Sequence, residues 1–421
     1  MPQFSPRQFL ADLFHAAVAA ADPSVMLRNY LPEPPKGRLV VVGAGKASAH
    51  MAAALEAAYP GPLTGLVVTR HGSAVPCARI EIVEAAHPVP DQGSFDAARR
   101  MLAMVEGLGA DDTVLALITG GGSSLLCLPP EGVPAGDKQA VNGELLRSGA
   151  TIHEMNCVRK HVSRIKGGRL AAQAHPARVV TLVISDIPGD DPSLVASGPT
   201  VPSAATRNDA HDIIRRYAMA LPESVTAWMA CADADAPRPD DPAFDRDTVH
   251  VIAAAQMSLE AAAEKAREAG ITPYILSDAI EGEASDVGEV LAAITRQCAL
   301  RGQPFTRPCV ILSGGETTVT VRHKGKGGRN SELLLAAAFG LQGLSHVHAL
   351  AADTDGIDGS ENNAGAFADG DTIRRLQEKG LKPKDYLAGN DAYSAFEADG
   401  ALFVPGATST NVNDFRAFLV L

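Results

Sequence analysis

The sequence predicts an α/β protein made of two three-layer α/β/α domains with mostly parallel or mixed sheets. Three observations carry this. Short β-branched apolar runs alternate with Ala- and Leu-rich helical stretches, the pattern of a parallel sheet covered by helices on both faces. Hydrophobic residues make up 46% of the 421 residues and aromatics only 5%, a balance suited to close helix–sheet packing. A Pro- and Asp-rich stretch over residues 231–247 separates two such alternations. It reads as the seam between domains 1–235 and 236–421, the length being enough for two or three domains.

Taken in order, residues 5–30 read mainly as an amphipathic helix, with Phe9, Leu10, Leu13, Phe14, Ala17 and Val18 at helical spacing. Leu39–Val42 is a continuous apolar run and reads as a buried strand. Gly43 and Gly45 let the chain turn sharply after it, and Lys46 opens an Ala-rich helix without breakers. This strand–turn–helix unit makes the first domain Rossmann-like. A helix start carries free N–H groups and partial positive charge, so the turn suits an anion. It is not a P-loop, because Val40 and Ala47 stand where Gly and Ser or Thr are needed. The dinucleotide fingerprint is matched only in part, Ser48 standing at its last small position. The plainer alternative is a tight turn beside a surface lysine.

Further strands are expected at Leu66–Thr69, Ile80–Glu84 and Thr113–Ile118, with a helix over 92–107. His87, in the rigid His-Pro-Val-Pro loop, is as readily a turn residue as a ligand contact. The run Gly120-Gly121-Gly122-Ser123-Ser124 follows a strand end, where parallel sheets bind ligands, and offers several N–H groups and two hydroxyls to one anion. A helix is expected from Asn156 to Leu170, with Asn156, Lys160, Ser163 and Gly167 on one side and Arg159, Lys160, Arg164, Lys166 and Arg169 making it basic. It is either a pocket wall or a solvated charged face. A strand at 179–184 leads to Ser185-Asp186 and Asp190-Asp191, acids placed to hold Mg²⁺ or to serve as ordinary turn formers.

The second alternation runs strand 249–253, helix 258–269, strand 272–276, helix 283–301 and strand 309–312. Gly314-Gly315-Glu316-Thr317 is a second anion-type turn, and a short strand is expected over 318–321. Arg329 sits at a glycine-rich helix start, where a guanidinium can fork onto phosphoryl or carboxylate oxygens. A strand at 347–350 leads to Asp353-Thr354-Asp355-Gly356. Asp358 and Ala364 occupy the Gly and Glu positions of an EF-hand, which excludes that motif.

The formal net charge of −12 argues against a general nucleic-acid or membrane-surface binder. Six scattered cysteines without a Cys-x-x-Cys pair, no leader pattern from Met1 onward and no apolar span of about 18 residues point to a cytoplasmic protein with free thiols.

The motifs quoted above, in this order, together with Met155 to His161, Ile165 to Leu170 and Ser197-Gly198-Pro199-Thr200, resemble the class II glycerate 2-kinases, often labelled hydroxypyruvate reductases. The resemblance covers nearly the whole chain. It implies two α/β/α domains with ATP and glycerate in the cleft between them. It also implies ATP-dependent, Mg²⁺-assisted phosphorylation of the 2-hydroxyl of (R)-glycerate. Lys46 and Arg329 match the usual catalytic candidates, and Asp190 is the third candidate here. Gly43, Gly45, Gly120, Gly121, Gly122, Ser123, Ser124, Asn156, Lys160, Gly314, Gly315, Glu316 and Thr317 are the expected binding residues, and Asp190 or Asp355 the expected Mg²⁺ ligands. Ser409 departs from the glycine expected in the C-terminal Thr-x-Thr-Asn-Val-Asn-Asp loop. A small-molecule substrate is expected, with no nucleic-acid or membrane partner. The oligomeric state is left open, a homodimer included. Two rivals remain: an NADP-dependent hydroxypyruvate reductase, from the partial fingerprint and Arg70-His71, and a non-catalytic phosphosugar sensor.

Overall fold

The computed structural model describes residues 4–421; Met1–Gln3, part of the stretch read for a leader, lie outside the described residues. The chain forms two compact units, Pro23–Ile252 and the segment up to Asp22 together with Ala253–Leu421.

The first unit is organised on a six-stranded sheet. Its strands are β1 (Leu39–Ala44), β2 (Thr64–Arg70), β3 (Ile80–Ala85), β4 (Thr113–Thr119), β5 (Arg178–Ile184) and β6 (Thr248–Ala253), in the order β3-β2-β1-β4-β5-β6. β1 and β4 are buried at every position and pair in parallel from Leu39↔Thr113 to Ala44↔Ile118. Strands covered on both faces need no polar alternation, which is why these apolar runs are so plain in the sequence. The connection after β1 leads to one side of the sheet and β4 starts the other. The β1 and β4 carboxyl ends therefore flank the point where the strand order reverses, the place where open α/β sheets hold ligands.

The second unit carries a mixed sheet with strands β7 (Thr272–Ser277), β9 (Cys309–Ser313), β11 (Val347–Asp353), β12 (Gly365–Asp369), β13 (Leu402–Phe403) and β14 (Asp414–Val420). Two short strands, β8 (Gly282–Glu283) and β10 (Thr317–Thr318), pair separately. The order is β13-β12-β11-β14-β9-β7, with β14 antiparallel to both neighbours and β7–β9 parallel. β10 stops at Thr318, short of the expected 318–321 strand. The α/β class with parallel and mixed sheets is as expected.

Three boundaries differ from the expectation. The Pro/Asp-rich stretch is a loop within the first unit and no seam, because β6 beyond it joins the first sheet, tied by the Val179 N–H donating to Asp247 Oδ1 at 2.8 Å. The chain division therefore falls at 252/253 rather than 235/236. The first helix, Pro6–Ala20, belongs with the C-terminal unit, where Phe14 packs edge-on against Phe403 and Phe415 and Ser258 Oγ donates to Ala17 O at 2.8 Å. The helix expected over 156–170 is broken. One helix spans Ile152–His161 and closes at Val162, which leaves the helical region at φ −108° and ψ 50°; another spans Arg169–Ala174, entered through Gly167 and Gly168 at φ of +63° and +84°. Among the described residues no single helix is long and apolar enough to cross a membrane.

Candidate active site

In the first unit the turns after β1 and β4 interlock. The Lys46 N–H donates to Gly120 O at 2.8 Å, and the Ala47 N–H to Thr119 Oγ1 at 3.2 Å. Gly45, at φ +139°, lies so close to Thr119 that a Cβ would fall 2.1 Å from its Oγ1. The expected turn is thus present, with one correction. Gly43 lies inside β1, where a side chain would meet Leu117 O at 2.8 Å, so this glycine serves strand packing. The helix begins at Ser48, two residues later than expected, and Ser48 Oγ donates to Gly45 O and Val68 O, closing the turn.

Gly120, Gly121 and Gly122 each fit a space that no other residue fills. A Cβ on Gly120 would fall 1.5 Å from Asp186 Oδ2, one on Gly121 3.1 Å from both His87 Nε2 and Lys46 Cγ, and one on Gly122 2.5 Å from Ala196 Cβ. Among the described residues no backbone carbonyl takes the N–H of Gly121, Gly122 or Ser123. The Lys46 side chain, half-buried beside them, has no ion pair among the described residues. An anion placed here would meet backbone N–H groups and a full positive charge together.

Two neighbours of this turn, weighed in the sequence but not chosen as site residues, are Asp186 and His87. Asp186 is the carboxylate that lies against Gly120, whereas the chosen Asp190 stands four residues on, at a left-handed φ of +53°. His87 faces Gly121. Burial first, then the charges of Lys46 and Arg70, push its pKa down to about 4, so its imidazole is neutral at pH 7. The signal for both was position, a polar residue just beyond a parallel strand's carboxyl end.

Asn156 and Lys160 are buried behind the turn. Asn156 Oδ1 accepts from Ser197 Oγ at 2.8 Å, Ser197 Oγ meets Ser123 Oγ at 2.8 Å, and Asn156 Nδ2 donates to Leu194 O at 3.3 Å. Lys160 Nζ lies 3.4 Å from Ser193 Oγ, and burial lowers its pKa. Ser124 Oγ turns back to Gly121 O at 3.2 Å. Asn156 therefore braces the wall through Ser197, and its own amide is already engaged.

In the second unit Arg329 starts the helix Arg329–Leu341 and is held by three carboxylates. Its Nε donates to Asp414 Oδ1 at 2.7 Å, Nη1 to Glu316 Oε1 at 2.7 Å and Nη2 to Asp353 Oδ2 at 2.8 Å. Burial pulls the Arg329 pKa down, but Asp414, Asp353 and Glu316 together outweigh it and raise it above the usual arginine range. Glu316 is the most exposed of the three, its side chain 45% accessible, and is the partner an incoming oxyanion can displace. The helix start beside Arg329 is no open anion site, since Asp358 takes the Asn330 and Ser331 N–H groups at 2.9 and 2.8 Å.

The Gly314–Thr317 turn is engaged at its two ends. The Gly314 N–H donates to Ser277 O at 2.8 Å and the Thr317 N–H to Asp414 Oδ2 at 3.3 Å, while Gly315, at φ +110°, leaves no room for a side chain beside Ile280. Asp414 also accepts from Asn330 Nδ2 and from the fully buried Arg416. A cavity of about 460 Å³ opens beside Arg329, lined by Val319, Val321, Gly327, Glu332 and Asn390 among others. Asp353 and Asp355 lie close together. Burial first and the Asp355 charge second push the Asp353 pKa well above the carboxylate range. No group of three or more His, Cys, Asp or Glu side chains among the described residues is placed to share a metal ion.

Comparison with known proteins matches residues 9–230 to a domain of unknown function, DUF4147, and residues 309–414 to the MOFRL family. A relative from Agrobacterium vitis, provisionally named a hydroxypyruvate reductase, is 53% identical over 99% of this chain and 95% of its own length. The D-glycerate 2-kinase of Thermotoga maritima is 38% identical over 99% of each chain, and the glycerate 2-kinase of Pyrococcus horikoshii 39% identical over 91% and 88%. The crystal structure of the Thermotoga maritima glycerate kinase superposes with a TM-score of 0.90, covering 99% of each chain at 37% identity. With both family segments in order and full-length likeness to two glycerate 2-kinases, the chain belongs to the glycerate kinase family, DUF4147 followed by MOFRL.

Proposed function

We propose that this chain transfers the terminal phosphoryl group of ATP to the 2-hydroxyl of (R)-glycerate, giving 2-phosphoglycerate and ADP. The observation that carries the reading is the Lys46 ammonium, without an ion pair among the described residues, set beside the Gly121, Gly122 and Ser123 N–H groups that no backbone carbonyl takes, at the β1–β4 switch point. Full-length likeness to named glycerate 2-kinases supports the choice of substrate.

Phosphoryl transfer asks the protein mainly for positioning and for stabilisation of charge spread over the phosphoryl oxygens. Lys46 and the glycine turn supply a cation and fixed N–H dipoles for those oxygens. In the other unit Arg329 offers a cation of its own, kept charged and oriented by Asp414 and Asp353, with Glu316 as the partner an oxyanion can displace. His87, uncharged, offers a ring nitrogen to the acceptor hydroxyl beside Gly121. Mg²⁺ takes one or two carboxylates and fills its remaining positions with water and phosphate oxygens, so a set without three converging ligands fits an ion that arrives with ATP. Asp355 or Asp190 would hold it. Bound Mg²⁺ supplies charge neutralisation on the nucleotide phosphates. Six free cysteines accord with a cytoplasmic location.

The hydroxypyruvate reductase reading is favoured by the name of the Agrobacterium vitis relative. A coupled ADP-release assay with D-glycerate, run beside an NADPH-oxidation assay with hydroxypyruvate, separates the two. Glycerate-dependent ADP release without NADPH oxidation supports the kinase; the reverse result overturns it.

A further inference from the structure

We propose that Lys166 is a positioning residue that fixes the Gly120–Ser124 turn in its working shape by bridging it to the Ala196–Ser197 turn. The proposal rests on the kinase reading above and deepens it.

Lys166 is 1% exposed and has no carboxylate partner among the described residues. Lysine is almost never fully buried unless paired, so its position calls for a cause. Its Nζ donates to Ser123 O at 2.8 Å, to Leu126 O at 2.9 Å and, more weakly, to Ala196 O at 3.5 Å. Two of those carbonyls belong to the short helical turn that follows the three glycines, and helix-end carbonyls lack intrahelical partners. The third belongs to a strained segment, with Ala196 at φ +53° and Ser197 at φ +61°, a region side-chain-bearing residues seldom occupy.

The two turns are pressed together. Gly122 has room for no Cβ beside Ala196, and Ser197 Oγ meets Ser123 Oγ at 2.8 Å. A strained segment persists only where its surroundings over-determine it. Lys166 reaches both turns with one Nζ, donating to Ser123 O in the first and to Ala196 O in the second.

Three acceptors match the three N–H bonds of an ammonium; a neutral amine has two. The surroundings disfavour the charge. Burial is the largest influence, with Lys138 and Arg159 adding to it and Cys127 opposing, and together they bring the Lys166 pKa to about 7. The turn is therefore fully served only on the acid side of neutrality.

The test is the pH profile of kcat/KM for D-glycerate at saturating ATP and Mg²⁺, on wild type, Lys166→Met and Lys138→Met. Lys138 is buried to the same extent, but donates only to Val162 O at 2.6 Å and touches neither turn. Wild type should lose activity through an ionisation near pH 7 as pH rises. Lys166→Met should abolish that limb and lower the acid plateau by ~100-fold, mostly in kcat, the scale of a small misplacement of binding groups. Lys138→Met removes a positive neighbour and should move the limb to higher pH while keeping the plateau. Hydrogen exchange at residues 120–126 should quicken in Lys166→Met alone. A retained limb in Lys166→Met, or an unmoved limb in Lys138→Met, overturns the proposal. If Lys166→Met does not fold, the Lys138→Met shift decides. Absence of glycerate phosphorylation by wild type at every pH would instead overturn the kinase reading.

Discussion

Arg329 and Asp414 form a charge-assisted hydrogen bond of 2.7 Å, Nε to Oδ1, while the other carboxylate oxygen of Asp414 binds Arg416 Nη2 at 2.5 Å. One buried acid thus orients two arginines 87 residues apart in the chain. Replacing Arg329 by Lys keeps the charge but cannot engage three carboxylates in one plane. We expect kcat to fall ~10²–10³-fold, the scale for removing one preorganised donor, with little change in fold by circular dichroism. Steady-state kinetics with an unchanged kcat would remove Arg329 from the chemistry.

Asp414→Asn should act on stability first. Arg416 is fully buried, and its remaining partner is Gly314 O at 2.8 Å. Breaking a buried pair from one side leaves an uncompensated charge, so urea unfolding should show a loss of ~3–5 kcal/mol. A loss under ~1 kcal/mol would mean that Arg416 finds water or another partner.

How much of this was legible in the sequence follows from what each element is made of. β1, β4 and β5 are nearly uninterrupted apolar runs, and Lys46 with its glycines is a local pattern within a few residues. β14, central in its sheet, was read only as a closing loop up to Asp414. It carries Asp414 and Arg416, whose charges cancel only in the fold and look like surface in one dimension. The partners of Arg329 lie 13, 24 and 85 residues away, and Asp186 reaches the glycine turn from another strand end. Spacing along a chain cannot reveal such meetings; only strand order brings them together.

Gly120→Ala should nearly abolish activity without unfolding the protein, because its Cβ would occupy the place of the Asp186 carboxylate. A drop of ~100-fold in kcat/KM, with the thermal midpoint shifted by a few degrees at most, is the expected result. Gly136→Ala, where nothing lies within 4 Å and φ is not positive, serves as the control for a methyl group added in open space.

The His87 ring should remain neutral well below the usual histidine range. With its pKa near 4, an NMR titration should show no imidazole protonation between pH 5.5 and 7.5. His87→Gln, which keeps a polar tip, should retain more activity than His87→Ala. A His87 midpoint near 6.5 would mean that the ring is not buried beside Lys46 and Arg70 as described.

Lys138 and Lys166 together predict a slope in stability with pH. Their folded pKa values, about 8 and about 7, lie below the unfolded lysine value. Between about 7 and 10 the unfolded chain therefore binds more protons than the folded one, so these two groups make stability rise with pH across that window. Chemical denaturation should show that rise in wild type and its reduction in Lys138→Met. A slope identical in both would contradict it.

The central claim is the position of phosphoryl transfer. With ¹³C-labelled D-glycerate, ATP and Mg²⁺, the product should show phosphorus coupling that identifies the phosphate on O2, with one ADP formed per phosphoester. Phosphate on O3, or consumption of NADPH with hydroxypyruvate and no phosphoester at all, would contradict the account.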